Sequence, residues 1–228
     1  MKRYLTVIPA RGGSKGIPLK NIYPINGKPL LEFTIEAAIK AKVNGEIAVS
    51  SDSDQILEVA SRYESIKLIK RPDDISNDVS STEASLIHAL EYMYKQYGYT
   101  YDSVITLQPT SPLRRPETII SFVQNYEAMS DTYDAQLTLT RSSSDFWIKK
   151  GEAYQRLFPE APRRRQEREP LYIENSAIYV TKTEALIQQY SVLGSNVNGF
   201  VIDEIEGIDI NEFNDIKLAE FYLNYKGK

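Results

Sequence analysis

The chain predicts an α/β fold with a mainly parallel sheet covered by helices on both faces. Three observations carry that expectation. Short apolar runs alternate with amphipathic segments through the first half, the first run opens into a glycine-rich basic loop, and the 228 residues are 42% hydrophobic and 25% charged, an ordinary globular balance. One sizeable core suits this length, and no internal repeat or low-complexity linker divides it. Residues 1–228 are therefore read as a single domain.

Residues 4–9 form the first apolar run and read as a buried strand. Helix 29–42 follows, with Leu30, Leu31, Phe33, Ile35, Ala38 and Ile39 as its buried stripe. Strand 46–51, helix 53–63, strand 66–69, helix 82–97 and strand 102–107 complete the βα alternation. Right-handed crossovers bring the loops after parallel strands to one rim, so the loop at Arg11, the turn at Ser50–Asp52 and Gln108 are expected to converge. The pattern changes near residue 135. A strand at 134–140 gives way to a charged, proline-bearing stretch over 141–172, read as an excursion with the character of a β-rich arm. Strand 177–180, helix 183–190 and a last helix at 214–226 restore the α/β pattern.

Composition narrows the chemistry. A net charge of −4 argues against a general nucleic-acid binder. With no cysteine, disulfides and thiolate metal sites are excluded, and one histidine makes a histidine-rich metal site or a Ser-His-Asp triad a poor fit. That residue, His88, lies in a helical stretch and reads as a packing residue. The N-terminal stretch has neither a signal-peptide core nor a membrane span, so a cytoplasmic protein without membrane attachment is expected.

The loop Ile8-Pro-Ala-Arg-Gly-Gly-Ser-Lys-Gly-Ile-Pro-Leu-Lys-Asn21 is the most informative segment. Its glycines allow backbone N–H groups to approach an anion, and Arg11, Lys15 and Lys20 would neutralise it. So much positive charge suits a nucleoside triphosphate better than one phosphate. The spacing matches neither a Walker A motif nor G-x-G-x-x-G. Ser14 and Asn21 can hydrogen-bond phosphate or ribose. Arg71 opens a loop near the same rim, and the run at 78–82 reads as a helix N-terminus whose hydroxyls cap the helix or meet a ligand. Gln108, after an apolar strand, can donate and accept toward a base edge or a sugar. Asp209 is the best metal candidate, because Mg²⁺ prefers carboxylate and phosphate oxygens. Residue 211 lies on the same side if the segment is extended, with Asp52 and Asp215 as supplements; Asp215 also suits a helix cap.

These segments, together with Arg71-Pro72, Ser80-Ser81-Thr82, Leu107-Gln-Pro-Thr-Ser-Pro-Leu-Arg114, Asn175-Ser-Ala-Ile-Tyr179 and Gly207-Ile-Asp-Ile-Asn211, resemble the acylneuraminate cytidylyltransferases, or CMP-sialic acid synthetases, in order and over nearly the whole chain. The resemblance implies a three-layer, nucleotide-diphospho-sugar-transferase-like (Rossmann-like) fold whose insertion at 141–172 is a small dimerisation arm. It implies transfer of CMP from CTP to the anomeric hydroxyl of a nine-carbon 2-keto-3-deoxy acid sugar, with release of pyrophosphate, in a homodimer using Mg²⁺ or Mn²⁺. Legionaminic, pseudaminic or 3-deoxy-octulosonic acid would be alternative acceptors for the same chemistry.

By the same resemblance Arg11, Lys15, Lys20 and Asp209 are catalytic, while Ser14, Asn21, Arg71, Thr82 and Gln108 join Arg11 on the nucleotide. The loop Gln108–Arg114 meets nucleotide or sugar, and Asn175 and Tyr179 line the sugar pocket. Arg165 reaches the neighbouring subunit's site. The metal falls to Asp209 and residue 211. The family often carries Asp at both of those positions, whereas this chain has Asn211. The change leaves open a different class of function, a nucleotide-binding module without turnover.

Overall fold

The computed structural model describes residues 2–14, 16–77 and 80–225. Its elements run in the order β1 (Tyr4–Pro9), β2 (Pro24–Ile25), β3 (Lys28–Pro29), α1 (Leu30–Ala41), β4 (Gly45–Ser51), α2 (Asp54–Ala60), β5 (Ile66–Lys70), α3 (Thr82–Tyr97) and β6 (Ser103–Leu107). The second half adds α4 (Pro116–Met129), β7 (Ala135–Ser142), β8 (Trp147–Lys150), β9 (Ala153–Arg156), β10 (Leu171–Lys182), α5 (Thr183–Gln189), β11 (Val197–Val201) and α6 (Phe213–Asn224). A seven-stranded sheet has the order β11-β7-β10-β6-β1-β4-β5. Only β10 is antiparallel to its neighbours, so the sheet is mainly parallel as expected.

Alternation along β1 sorts the core into two layers. Tyr4 and Ile8 face a cluster with Leu31 and Ile35 of α1, Ile56 of α2 and Phe122 and Tyr126 of α4. Leu5 and Val7 face the other side, against Leu86 and Met93 of α3 and Leu186 of α5. Helices therefore cover both faces, giving the three-layer arrangement. α3 is bounded by its own chemistry. The Ser81 hydroxyl accepts from the amide of Ala84 at its start (3.2 Å), and Gly98 closes it at φ 68°.

Two regions depart from the sequence reading. No element is assigned there between 107 and 134, yet α4 fills the space. Its signal is complete: Pro116 in the first turn, Glu117 beside it, and Ile119, Phe122, Val123 and Tyr126 at helical spacing on the buried face. β11 is likewise unassigned, since its Asn and Gly are poor strand formers. Parallel pairing with β7, from Val197 opposite Ala135 to Val201 opposite Leu139, creates it.

The excursion at 141–172 holds the antiparallel hairpin of β8 and β9, outside the main sheet. β10 is longer than the strand expected at 177–180. Its first half pairs with β7 beyond the rim, then a bulge between Glu174 and Tyr179 shifts the register, with Ser176 at φ 60°. No helix among the described residues is long and apolar enough to cross a membrane.

Candidate active site

The carboxyl ends of β1, β4, β5 and β6 lie at one rim, and a cleft of about 330 Å³ opens there. Arg11, Ser14, Lys20, Asn21, Arg71, Thr82 and Gln108 line it, together with Gly16, Ser80, Ser81, Ser85 and Thr110. Segments separated by almost a hundred residues thus meet as the crossover rule requires. Lys15 lies outside the described residues.

The basic loop is held from both ends. The amide of Gly12 donates to Oδ1 of Asp52 (2.9 Å), and Nδ2 of the buried Asn21 donates to the carbonyl of Arg11 (2.9 Å). Asp52 is therefore engaged in shaping the loop, and Asn21 spends its amide on the backbone. Arg71 is buried at the wall. One Nη donates to the carbonyl of Ser50 (3.0 Å), while Nε is buried with no hydrogen-bond partner among the described residues. Burial lowers the pKa of Arg71; the nearby Asp52 opposes that shift and Arg11 adds to it. Lys20 is shifted down in the same way, mainly by burial, with Asp209 opposing. Burial and the mutual repulsion of these cations are what a polyphosphate would relieve.

Asp209 and Asn211 stand at the edge of this cleft. Nζ of Lys20 donates to the carbonyl of Ile210 (2.7 Å) and to Oδ1 of Asn211 (3.5 Å), and Nδ2 of Asn211 donates to Oδ2 of Asp209 (2.7 Å). The amide of Ile210 donates to the carbonyl of Thr110 (2.8 Å), which ties this strip to the Gln108 loop. Asp215 is occupied elsewhere: Oδ2 accepts from the amides of Asn211 (2.8 Å) and Glu212 (2.7 Å) as part of the capping box of α6. Among the described residues no group of three or more His, Cys, Asp or Glu could hold a metal. One carboxylate at the mouth of this cleft still fits a hard divalent ion, which takes one or two carboxylates and fills its shell with water or ligand oxygens.

The remaining residues fall apart. Asn175 is buried in the β10 bulge, its Oδ1 accepting from the hydroxyl of Thr138 (2.6 Å) and the amide of Ala177 (3.1 Å). The hydroxyl of Tyr179 is shared with Glu174 and with Ser176 (3.1 Å). Both lie on β10, next to the strand that carries Gln108, but neither lines the cleft. Arg165 is exposed in a short 3₁₀ turn beside Arg141 and Glu204, away from the cleft of its own chain. Arg114 points inward, with its guanidinium buried rather than on the loop surface.

Glu206 is a residue that sequence reasoning missed. Its buried carboxylate accepts from the amide (2.9 Å) and Nε (2.7 Å) of Arg115, pinning the strip that carries Asp209 to the start of α4. No motif marks it, since its partner is ninety-one positions away.

A family model described as cytidylyltransferase matches residues 5–201, which include the basic loop, Arg71, Gln108 and the β10 bulge. The chain belongs to the cytidylyltransferase family. The enzyme is 33% identical over 225 residues to a CMP-N,N'-diacetyllegionaminic acid synthase of Legionella pneumophila, covering 96% of this chain and 95% of that protein. It is 31% identical over 222 residues to an N-acylneuraminate cytidylyltransferase of Escherichia coli, covering 95% of this chain and about half (51%) of that one. A pseudaminic acid cytidylyltransferase of Campylobacter jejuni is 29% identical over 225 residues, covering 95% of this chain and 94% of that protein. Among solved structures, a CMP:2-keto-3-deoxy-manno-octonic acid synthetase complexed with CTP superposes with a TM-score of 0.67 at 17% identity, covering 97% and 98% of the two chains. That likeness bears on the fold alone. By its family membership the enzyme is a nucleotidyltransferase.

Proposed function

We propose that the enzyme transfers CMP from CTP to the anomeric hydroxyl of a nine-carbon 2-keto-3-deoxy acid sugar of the sialic acid class. The observation that carries this reading is the convergence of Arg11, Lys20 and Arg71 on one cleft with Asp209 at its edge. A triphosphate is the ligand whose charge matches that set, and relatives named for nine-carbon acid sugars supply the acceptor class.

In this reading the anomeric hydroxyl attacks the α-phosphorus and releases its proton to solvent, the bond from the α-phosphorus to the oxygen bridging to the β-phosphorus breaks, and pyrophosphate leaves with that oxygen. Arg11 and Lys20 grip the phosphate oxygens and stabilise charge gathering on the leaving group. The backbone amide of Gly13 adds a fixed dipole, while that of Gly12 is held by Asp52. Asp209, helped by the amide oxygen of Asn211, would hold Mg²⁺ or Mn²⁺, which supplies Lewis-acid stabilisation of the phosphoryl oxygens. Ser14, Thr82 and Arg71 orient the nucleoside, Asn21 acts through the Arg11 backbone it holds, and Gln108 stands between nucleotide and sugar. Most of the rate would come from alignment and charge neutralisation, with no covalent enzyme intermediate.

Trp147, Tyr154, Leu157 and Phe158 are exposed on the excursion, which suits a homodimer in which this arm packs on a second copy and presents Arg165 to its cleft. The reaction would run in the cytoplasm. A second acceptor, N,N'-diacetyllegionaminic acid, is favoured by the 33% identity with a synthase named for it.

The test is pyrophosphate release from CTP with Mg²⁺, offering N-acetylneuraminic, N,N'-diacetyllegionaminic, pseudaminic and 3-deoxy-octulosonic acids in turn. Acceptor-dependent release with a nine-carbon acid supports the proposal. Release only with the octulosonic acid, or CTP binding without release, overturns it.

A further inference from the structure

Arg114 takes no part in the chemistry above, yet it is a permanent cation buried directly beneath the cleft. Its side chain belongs to a residue only 3% exposed. Nη1 donates to the carbonyls of Gln108 (3.2 Å) and Ala177 (2.6 Å), and Nη2 donates to the hydroxyl of Thr34 (2.8 Å). Nε is buried and has no hydrogen-bond partner among the described residues. None of the three acceptors is a carboxylate. Burial pushes the guanidinium pKa down, with the charge of Glu206 opposing, but an arginine stays protonated at neutral pH. An apolar side chain of similar volume would avoid burying a charge but leave these acceptors without their donor. What the guanidinium adds is a rigid planar fork that sets the angles between its acceptors.

Those acceptors come from three parts of the rim. Gln108 follows β6 and lines the nucleotide cleft, Ala177 lies in the β10 bulge, and Thr34 stands on α1 below them. Ile178 is opposite Leu107, the last pair of β10 with β6, so the fork sits where those two strands part. Thr34 closes the arrangement by donating its own hydroxyl toward the carbonyl of Gln108 (3.4 Å). We propose that Arg114 is a positioning residue for cytidylyl transfer, its fork setting the separation between the Gln108 wall of the nucleotide cleft and the β10 bulge on the acceptor side. That the acceptor lies beside the bulge rests on the function proposed above. If Gln108 drifted, the cleft would still admit CTP, which Arg11, Lys20 and Arg71 grip. The attacking hydroxyl would lose its line to the α-phosphorus, and alignment of that kind governs the chemical step rather than binding.

Two variants of the full chain test this. Arg114→Lys keeps the charge and loses the fork, and Thr34→Val removes one acceptor at nearly constant volume. Melting temperature, CTP affinity by calorimetry, and kcat and KM for both substrates are measured for each. In both, CTP affinity is expected to stay within about three-fold of wild type while kcat falls about ten-fold or more. A lowered melting temperature with kcat within about two-fold of wild type would make Arg114 a packing element and overturn the proposal. So would a loss of CTP affinity equal to the loss of kcat. If Arg114→Lys does not fold, Thr34→Val decides by the same criteria. Wild-type protein that releases no pyrophosphate with any acid sugar overturns the proposed function itself, and this inference with it, before a variant is made.

Discussion

The backbone carbonyl of Asn211 lies so close to Gly16 that a β-carbon on Gly16 would sit 2.5 Å from it. The basic loop and the strip bearing Asp209 are thus in contact through a position where only glycine fits. The obstacle is backbone, which cannot swing aside as a flexible side chain can. Gly16→Ala should therefore push the two loops apart. We expect a folded protein whose kcat/KM for CTP drops about ten-fold or more, measured by pyrophosphate release. Unchanged kinetics would show that the loops can separate without consequence.

Removing the guanidinium of Arg11 takes away charge-assisted contacts to phosphate, each worth about 1.5–3 kcal/mol. Arg11→Ala should weaken CTP binding by about 10–100-fold in calorimetry and steepen no other interaction. The same titration on Arg165→Ala of isolated, monomerised protein should leave CTP binding intact, since Arg165 lies outside the cleft of its own chain.

Glu206 is buried while its partner Arg115 is largely exposed. Glu206→Gln removes the charge but keeps an acceptor for the Arg115 amide. The expected cost is about 1–3 kcal/mol in urea unfolding, with a rise in the Mg²⁺ concentration needed for activity because the Asp209 strip loosens. A stability loss without any change in metal response would confine Glu206 to capping α4.

Asn211→Asp places a second carboxylate where an amide now donates to Asp209. Without divalent metal the two like charges should lower the melting temperature, and Mg²⁺ should restore it. Thermal melts with and without Mg²⁺ give the answer independently of turnover. An identical metal response in both proteins would remove residue 211 from the metal site.

His88 is the single histidine, so its titration can be followed without ambiguity by proton NMR. Burial lowers its pKa from the ordinary 6.5; Arg71 and Lys95 push the same way, and Glu91 and Asp74 oppose. The unfolded chain then binds the proton more readily than the folded one. His88 costs no stability above 6.5, and stability falls as pH drops from there to the folded pKa, below which the loss stays constant. His88→Gln should flatten that part of the pH profile in urea melts. A native imidazole titrating at or above 6.5 would refute this.

The alternation of β1, α1, β4, α2, β5, α3 and β6 was legible because each element carries its own period and its own ends. The residues that meet in the cleft were legible for a related reason: parallel strands deliver their following loops to one rim, so Arg11, Arg71 and Gln108 needed only correct strand assignments. α4 carries the same kind of local signal in Pro116, Ile119, Phe122 and Tyr126. Asn175 and Tyr179 are another matter. Their polar groups are turned into the β10 bulge, and nothing in a linear reading distinguishes a side chain that faces a ligand from one that satisfies its own backbone.

The sequence by itself determined the α/β class, the chemistry of the basic loop and the family, because these rest on local periodicity and on which residue types stand together along the chain. The tertiary structure alone decided which polar groups remain free for a substrate. It turned Asp52 to the amide of Gly12, Asp215 to the cap of α6, Glu206 to Arg115 and Arg114 to three carbonyl and hydroxyl oxygens. Most buried polar groups find a partner, and that partner is near in space, which distance along the chain does not reveal.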